Sequence, residues 1–259
     1  MKSVLAGLLC LLLGFSGAVG AADMLRDEDH ELNPRSPDQL LGGDMMLKTA
    51  DGVEFGVYAT GLEDAPRGIL LIHEWWGLND HIRAWADRFA RLGYRAYAVD
   101  LYGGGVATDP DTARSLMKAV NQPEANAKMT AALASLAVPG RKLATIGWCF
   151  GGGQSLQASL AAPERVDATV IYYGPLVADP EVLKKLRGPV LGIFATQDQS
   201  ISPDKVAAFE RAMQAAGKRL EVHSYDANHA FANPSGQRYN GEAAVAAWQV
   251  TRAFLDREL

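Results

Sequence analysis

Cysteine is nearly absent from this sequence: there are two in 259 residues, Cys10 and Cys149. That excludes a disulfide-stapled scaffold and a zinc site built from thiolates, both of which need more of them. Net positive charge is missing as well. The formal charge is −5 and the pI is near 5.6, so there is no broad basic surface and nucleic acid is not an expected partner. No linker rich in proline or serine, no composition shift and no internal repeat divides the chain. What is present is a composition 48% hydrophobic and 21% charged. That is enough apolar material for a large core and is not the profile of a disordered chain.

The first 22 residues, MKSVLAGLLCLLLGFSGAVGAA, place Lys2 before an apolar run from Val4 to Phe15, followed by small residues around Ala18 to Ala22. This is the layout of a secretory signal peptide. The run is short of the roughly 20 residues that cross a bilayer, although an uncleaved N-terminal anchor is the alternative. Cys10 lies inside the run and is preceded by Leu8 and Leu9. A lipidation site would carry small residues there, so removal of this cysteine is the expectation. The mature chain is then periplasmic or secreted, with no stable membrane insertion. It keeps one cysteine, Cys149, which is either buried and inert or a reactive thiol.

Residues 23–43 are polar and read as a mobile lead-in; residues 44–259 read as one domain. Strands are expected at Met45–Thr49 and Val53–Thr60, joined at Asp51-Gly52, and then at Gly68–Ile72, Tyr94–Val99, Lys142–Ile146, Asp167–Tyr173, Val190–Ala195 and Arg219–Tyr225. Helical spacing covers Asp80–Leu92, Asp109–Val120, Pro123–Leu136, Gly152–Leu160, Glu181–Leu186, Pro203–Ala216 and Glu242–Glu258. Strands alternating with helices predict an α/β fold, a mainly parallel sheet with helices on both faces. Chemistry in such folds collects in the loops at the carboxyl ends of the strands.

Four of those loops stand out. Gly147-Trp148-Cys149-Phe150-Gly151 lies between a predicted strand and a predicted helix, the pattern of a nucleophile elbow with Cys in place of Ser. A thiol at a helix start is favoured as thiolate, whereas a buried structural cysteine is the plain alternative. The next two predicted strands are followed by Gln197-Asp198 and by Asn228-His229. Cys149, Asp198 and His229 therefore stand in the order nucleophile, acid, histidine. Of the other histidines, His30 is in the lead-in, His73 is in the loop discussed next, His81 starts a helix and His223 is inside a strand. Asp204 and Asp226 are rival acids, one at a helix start and one three residues before His229. His73-Glu74 in the fourth loop is not a zinc helix, because position 77 is Gly rather than His. No metal or cofactor is expected.

Together, His73-Glu74-Trp75-Trp76-Gly77-Leu78-Asn79, Asp100-Leu101-Tyr102, the Cys149 elbow with Gly152, Gln197-Asp198 and Asn228-His229-Ala230-Phe231 resemble the dienelactone hydrolase family of the α/β-hydrolase superfamily. The resemblance implies the α/β-hydrolase fold and a Cys149-His229-Asp198 triad. It also implies a role for Glu74 in deprotonating the thiol and an oxyanion hole made by the N–H groups of Phe150 and Trp75. The partner implied is a small-molecule ester or lactone. The family's founding enzymes hold a substrate carboxylate with two arginines. The matching neighbourhoods here read Gly103-Gly104-Gly105 and Ala232-Asn233-Pro234, so selectivity for an anionic dienelactone is not expected. Arg238 is a nearby substitute or a solvated loop residue. Trp76, Tyr102, Trp148 and Phe231 are expected to wall an apolar pocket, with ordinary core packing as the alternative. The reaction expected is acyl transfer through a thioester. The alternative function is a hydrolase scaffold that binds ligands or senses oxidants through its lone thiol.

Overall fold

The computed structural model describes residues 40–259; the expected signal segment and residues 23–39 of the lead-in lie outside the described residues. Fifteen elements follow in chain order. They are β1 (Gly43–Lys48), β2 (Glu54–Thr60), β3 (Arg67–Ile72), α1 (Asp80–Arg91), β4 (Tyr94–Val99), α2 (Pro110–Ala119), α3 (Gln122–Leu136), β5 (Lys142–Trp148), α4 (Phe150–Ala161), β6 (Ala168–Tyr172), α5 (Pro180–Leu183), β7 (Val190–Ala195), α6 (Pro203–Ala215), β8 (Leu220–Tyr225) and α7 (Gly241–Glu258). They form one eight-stranded sheet in the order β1-β2-β4-β3-β5-β6-β7-β8. β1 and β2 pair antiparallel, as does β2 with β4, and every other pairing is parallel. This is the α/β-hydrolase architecture.

Local sequence accounts for the boundaries. The β1–β2 turn closes through Gly52 N–H to Thr49 O, with Gly52 at φ 88°, where a side chain would be strained. Asn79 caps α1 by accepting from Ile82 N–H, and Asn121 caps α3 with Pro123 in its first turn. Gly217, at φ 68°, ends α6. Strand β1 starts two residues before the expected Met45. The chain ahead of it is tied down by Leu41 N–H to Asp87 and by Gly42 N–H to the Tyr58 hydroxyl, which itself donates to Asp87.

Side-chain alternation along each strand builds two cores. Ile69 and Leu71 of β3 face one side, where α1 supplies Ile82, Trp85 and Phe89 and α7 supplies Trp248 and Phe254. Leu70 and Ile72 face the other, against Met129, Leu133 and Leu136 of α3. Helices α5 and α6 cover the β6–β7 end of that second face. Because β3 to β8 run parallel, their carboxyl ends share one edge. The chain runs from β3 to β4 on one side and then to β5 on the other, so a crevice opens between the loops after β3 and β5.

Candidate active site

Cys149 is the single residue between β5 and α4, so the chain turns from strand to helix at one position. It does so at φ 54° and ψ −120°, a conformation that costs about 1–3 kcal/mol in a residue with a side chain. The flanking glycines make the turn sterically accessible. A Cβ on Gly147 would strike the Gly151 carbonyl, and one on Gly151 would strike the carbonyls of Ile72 and His73. Helix α4 therefore starts in contact with the end of β3. Cys149 is held by its own N–H to Tyr172 O (3.0 Å), and its carbonyl accepts from Gly152 N–H (3.0 Å). Phe150 N–H, the first of the helix, has no carbonyl four residues back to meet within α4.

The structure brings Asp198 and His229 to this thiol. His229 Nδ1 donates to Asp198 Oδ2 at 2.6 Å, and Nε2 lies 3.2 Å from Cys149 Sγ. The acid and histidine loops are kept in register by bonds between them. Gln197 N–H donates to Ala227 O, the Gln197 amide donates to Asp226, and Asn228 donates to Gln197. Asp226 is thus engaged with Gln197 rather than His229, and Asp204 lies in the first turn of α6. Asp198 also accepts from the N–H groups of Ser200 and Ile201. Burial pushes its pKa up, but the bond from His229 and the two N–H groups outweigh that and hold it below the usual carboxylate value. Burial pushes His229 down. The bonds to Asp198 and Cys149 overcome this and raise it to about 10.

The loop after β3 brings Glu74 to the same place. His73 is fully buried, and burial lowers its pKa. Its Nε2 accepts from Leu101 N–H, which leaves Nδ1–H to donate to the Glu74 carbonyl at 2.6 Å. A neutral imidazole therefore pins the backbone of Glu74 to the end of β4. The Glu74 carboxyl is 4% exposed and accepts from the Asn233 side-chain amide. Burial raises its pKa to about 7, opposed by the charge of His229 and the Asn233 bond. Among the described residues no group of three His, Cys, Asp or Glu is placed to hold a metal ion.

Two expected pocket residues are core residues instead. Trp148 is the last residue of β5 and alternates onto the α1/α7 face, packed against Trp85 and Tyr172 at ring distances of 5.2 and 5.7 Å. Phe231 is fully buried against Tyr173 and Tyr225. Tyr102 stays near the site, with its ring 4.5 Å from His73 and 5.7 Å from Phe150. Trp75 and Trp76 are half-buried and in edge contact at 4.9 Å. The Gly103-Gly104-Gly105 turn wraps the Asp100 carboxylate, which accepts from Tyr102 N–H and Gly104 N–H. Arg238 is exposed and helps line a pocket of about 200 Å³ shared with His229, Asp198 and Asn228.

Two residues outside the expected set also lie at the site. Tyr173 follows β6 at φ 36°, fully buried, with its ring 5.3 Å from His229. Its hydroxyl has no side-chain partner. Burial and the nearby Glu74 and Cys149 push its pKa well up. Asn233 is the donor to Glu74. Its one hint in the sequence is that it occupies a position where the resemblance leads one to look for arginine.

Comparison with known proteins bears on the family and the fold. The model of the Dienelactone hydrolase family matches residues 55–259. A Saccharolobus solfataricus protein named "Putative carboxymethylenebutenolidase" is 30% identical over 252 residues, covering 80% of this chain and 96% of its own. The crystal structure of a Klebsiella pneumoniae protein described as a putative dienelactone hydrolase superposes with a TM-score of 0.73 at 26% identity, over 82% of this chain and 97% of that one. A dienelactone hydrolase-like promiscuous phosphotriesterase from metagenomic libraries has a TM-score of 0.74 over 84% of this chain and 99% of its own; at 23% identity it speaks for the fold alone. With the family model spanning the sheet from β2 to the end of α7, the chain belongs to the dienelactone hydrolase family, hydrolases of ester and lactone bonds.

Proposed function

We propose that the protein hydrolyses small ester or lactone substrates by acyl transfer to Cys149. The observation that carries this reading is the continuous chain from Asp198 through His229 to Cys149, with contacts of 2.6 and 3.2 Å. Cys149 attacks the carbonyl carbon as thiolate. The N–H groups of Phe150 and Trp75 receive the developing oxyanion, one donor following the nucleophile and one coming from the loop after an early strand. His229 delivers its proton to the leaving oxygen as the tetrahedral adduct collapses to a thioester, then takes a proton from water so that hydroxide attacks that thioester. Asp198 keeps Nδ1 of His229 protonated and stabilises the imidazolium. Glu74 exchanges a proton with the thiol as the cycle opens and closes.

The substrate is a small ester or lactone, with no selectivity for an anionic dienelactone. No arginine occupies positions 103–105 or 232–234, and a carboxylate bound without a bidentate partner loses its strongest contact. The protein acts after export, with residues 1–22 removed, so Cys149 is the lone thiol of the working chain. The mass of the mature protein tests that cleavage.

Replacing Cys149 by Ala tests the chemistry. Turnover of a neutral aryl ester is expected to fall on the order of 10⁴-fold or more, and brief exposure of the unmodified protein to substrate should leave an acyl adduct on Cys149 by intact mass. Turnover persisting in Cys149→Ala would overturn the reading.

A further inference from the structure

Asn233 sits in the turn that follows His229, outside any strand or helix, yet is only 7% exposed. Its orientation is not free. Ser235 N–H donates to Asn233 Oδ1 at 2.9 Å, so the side-chain oxygen is committed and the NH₂ group must face Glu74 Oε2. The backbone is fixed as well, by Asn233 N–H to Ala230 O and Gly236 N–H to Asn233 O, both 3.0 Å. Ala230, beside His229, has φ 65°. One strained turn therefore presents both the imidazole and the amide.

The groups that face the Glu74 carboxyl are few. They are His229 from the loop after β8, the Tyr173 phenol from the end of β6, and the Asn233 amide; Cys149 joins the cluster through His229, 3.2 Å from its Sγ, and through Tyr173, on which both Glu74 and Cys149 act. Among the described residues no lysine or arginine acts on it. A cation at position 233 would hold the carboxyl ionised at every working pH, and an apolar side chain would leave it buried without a donor. An amide does neither. It donates to one carboxyl oxygen whether or not the other carries a proton, so the side chain keeps its place while the proton moves.

We infer that Asn233 is a positioning residue for the thiol-activating carboxyl, holding Glu74 beside His229 through a neutral hydrogen bond that survives both protonation states. The inference rests on the reading of Cys149 as nucleophile and Glu74 as its proton acceptor. In that step the S–H bond of Cys149 breaks and an O–H bond forms on Glu74, leaving thiolate for attack. When the acyl group departs as carboxylic acid, Glu74 returns the proton to sulfur. Activity requires ionised Glu74 at the start, so it rises with pH through the Glu74 pKa, about 7.

The test is a pair of variants with opposite expected signs. In Asn233→Leu the acid limb of kcat/KM for a neutral ester moves up by about one to two pH units, and in Asn233→Lys it moves down by a similar amount. The pH dependence of iodoacetamide alkylation of Cys149 follows both shifts. In a Glu74→Gln background neither substitution moves the limb. If Asn233→Leu does not fold, Asn233→Asp supplies the upward shift by like-charge repulsion. Limbs that stay in place, or that move the same way in both variants, would overturn the inference. If the limbs stay in place while Cys149→Ala is inactive, only the role of Asn233 is lost. If Cys149→Ala is active, the nucleophile itself was wrong.

Discussion

Asp198 and Glu74 are almost equally buried, 3% and 4% exposed, and both feel the imidazole of His229. One carboxyl is nevertheless pulled below its usual value and the other is pushed up to about 7. Burial pushes both up, and it acts more strongly on Glu74, which has more protein packed around it. Donors widen the difference. Asp198 accepts from His229 and from two backbone N–H groups that the tight loop after β7 aims at one oxygen. Glu74 accepts from a single side-chain amide. Three donors, one of them cationic, outweigh desolvation, while one neutral donor does not. In the proposed mechanism Asp198 holds charge and Glu74 trades a proton, which is how one pocket can carry two carboxyl roles.

The sharpest way to break this comparison is Asp198→Asn. Removing the charge that keeps His229 protonated on Nδ1 is expected to lower kcat on the order of 10³–10⁴-fold. It should also remove a contribution to stability that is present above the unfolded Asp pKa and lost as pH falls through the lowered folded one. Steady-state kinetics and acid unfolding check both parts; a loss under tenfold would mean that Asp198 does not orient the imidazole.

Glu74→Gln has the opposite stability signature. A carboxyl raised from 4.5 to about 7 binds more protons folded than unfolded between those values, so wild-type stability falls as pH rises through that window and levels off above it. The neutral amide escapes this cost. The variant is expected to be more stable than wild type by about 3 kcal/mol at pH 8 and equal to it near pH 4, while ester turnover falls roughly 10–100-fold. Denaturant titrations at the two pH values decide it, and a pH-independent difference would sink the assignment. The smallest effect belongs to Tyr173→Phe. Its phenol has no side-chain partner, so losing the hydroxyl should change stability by about 1 kcal/mol or less, with kcat changed less than about tenfold. A larger loss of kcat at unchanged KM would mean that the phenol contacts the reacting atoms.

The strands and helices were legible because their signals are local. Asn caps, Pro in first turns, Gly52 and Gly217 at positive φ, and apolar spacing at Ile82, Trp85 and Phe89 all act within a few residues. The order Cys149, Asp198, His229 was legible because parallel topology lines up strand ends. Phe231 lies in the loop after β8, where no periodicity applies, and Trp148 takes the core-packing alternative for a different physical reason. A parallel strand buried on both faces has no polar alternation to say which way a side chain points. Only the register of β5 in the sheet turns Trp148 toward α1 and α7.

The sequence by itself determined the alternation of elements, the elbow with its two glycines, and which residues stand at strand ends. These follow from steric and periodic rules that operate over a few positions of chain. Tertiary structure alone decided the proton affinity of each carboxyl. Asn233 and Glu74 are 159 residues apart, and Tyr173 gains its place over His229 from a positive φ at the end of β6. A carboxyl's proton affinity is set by the donors and the dielectric within a few ångströms of it, and no stretch of sequence carries that information until the sheet has closed around the site.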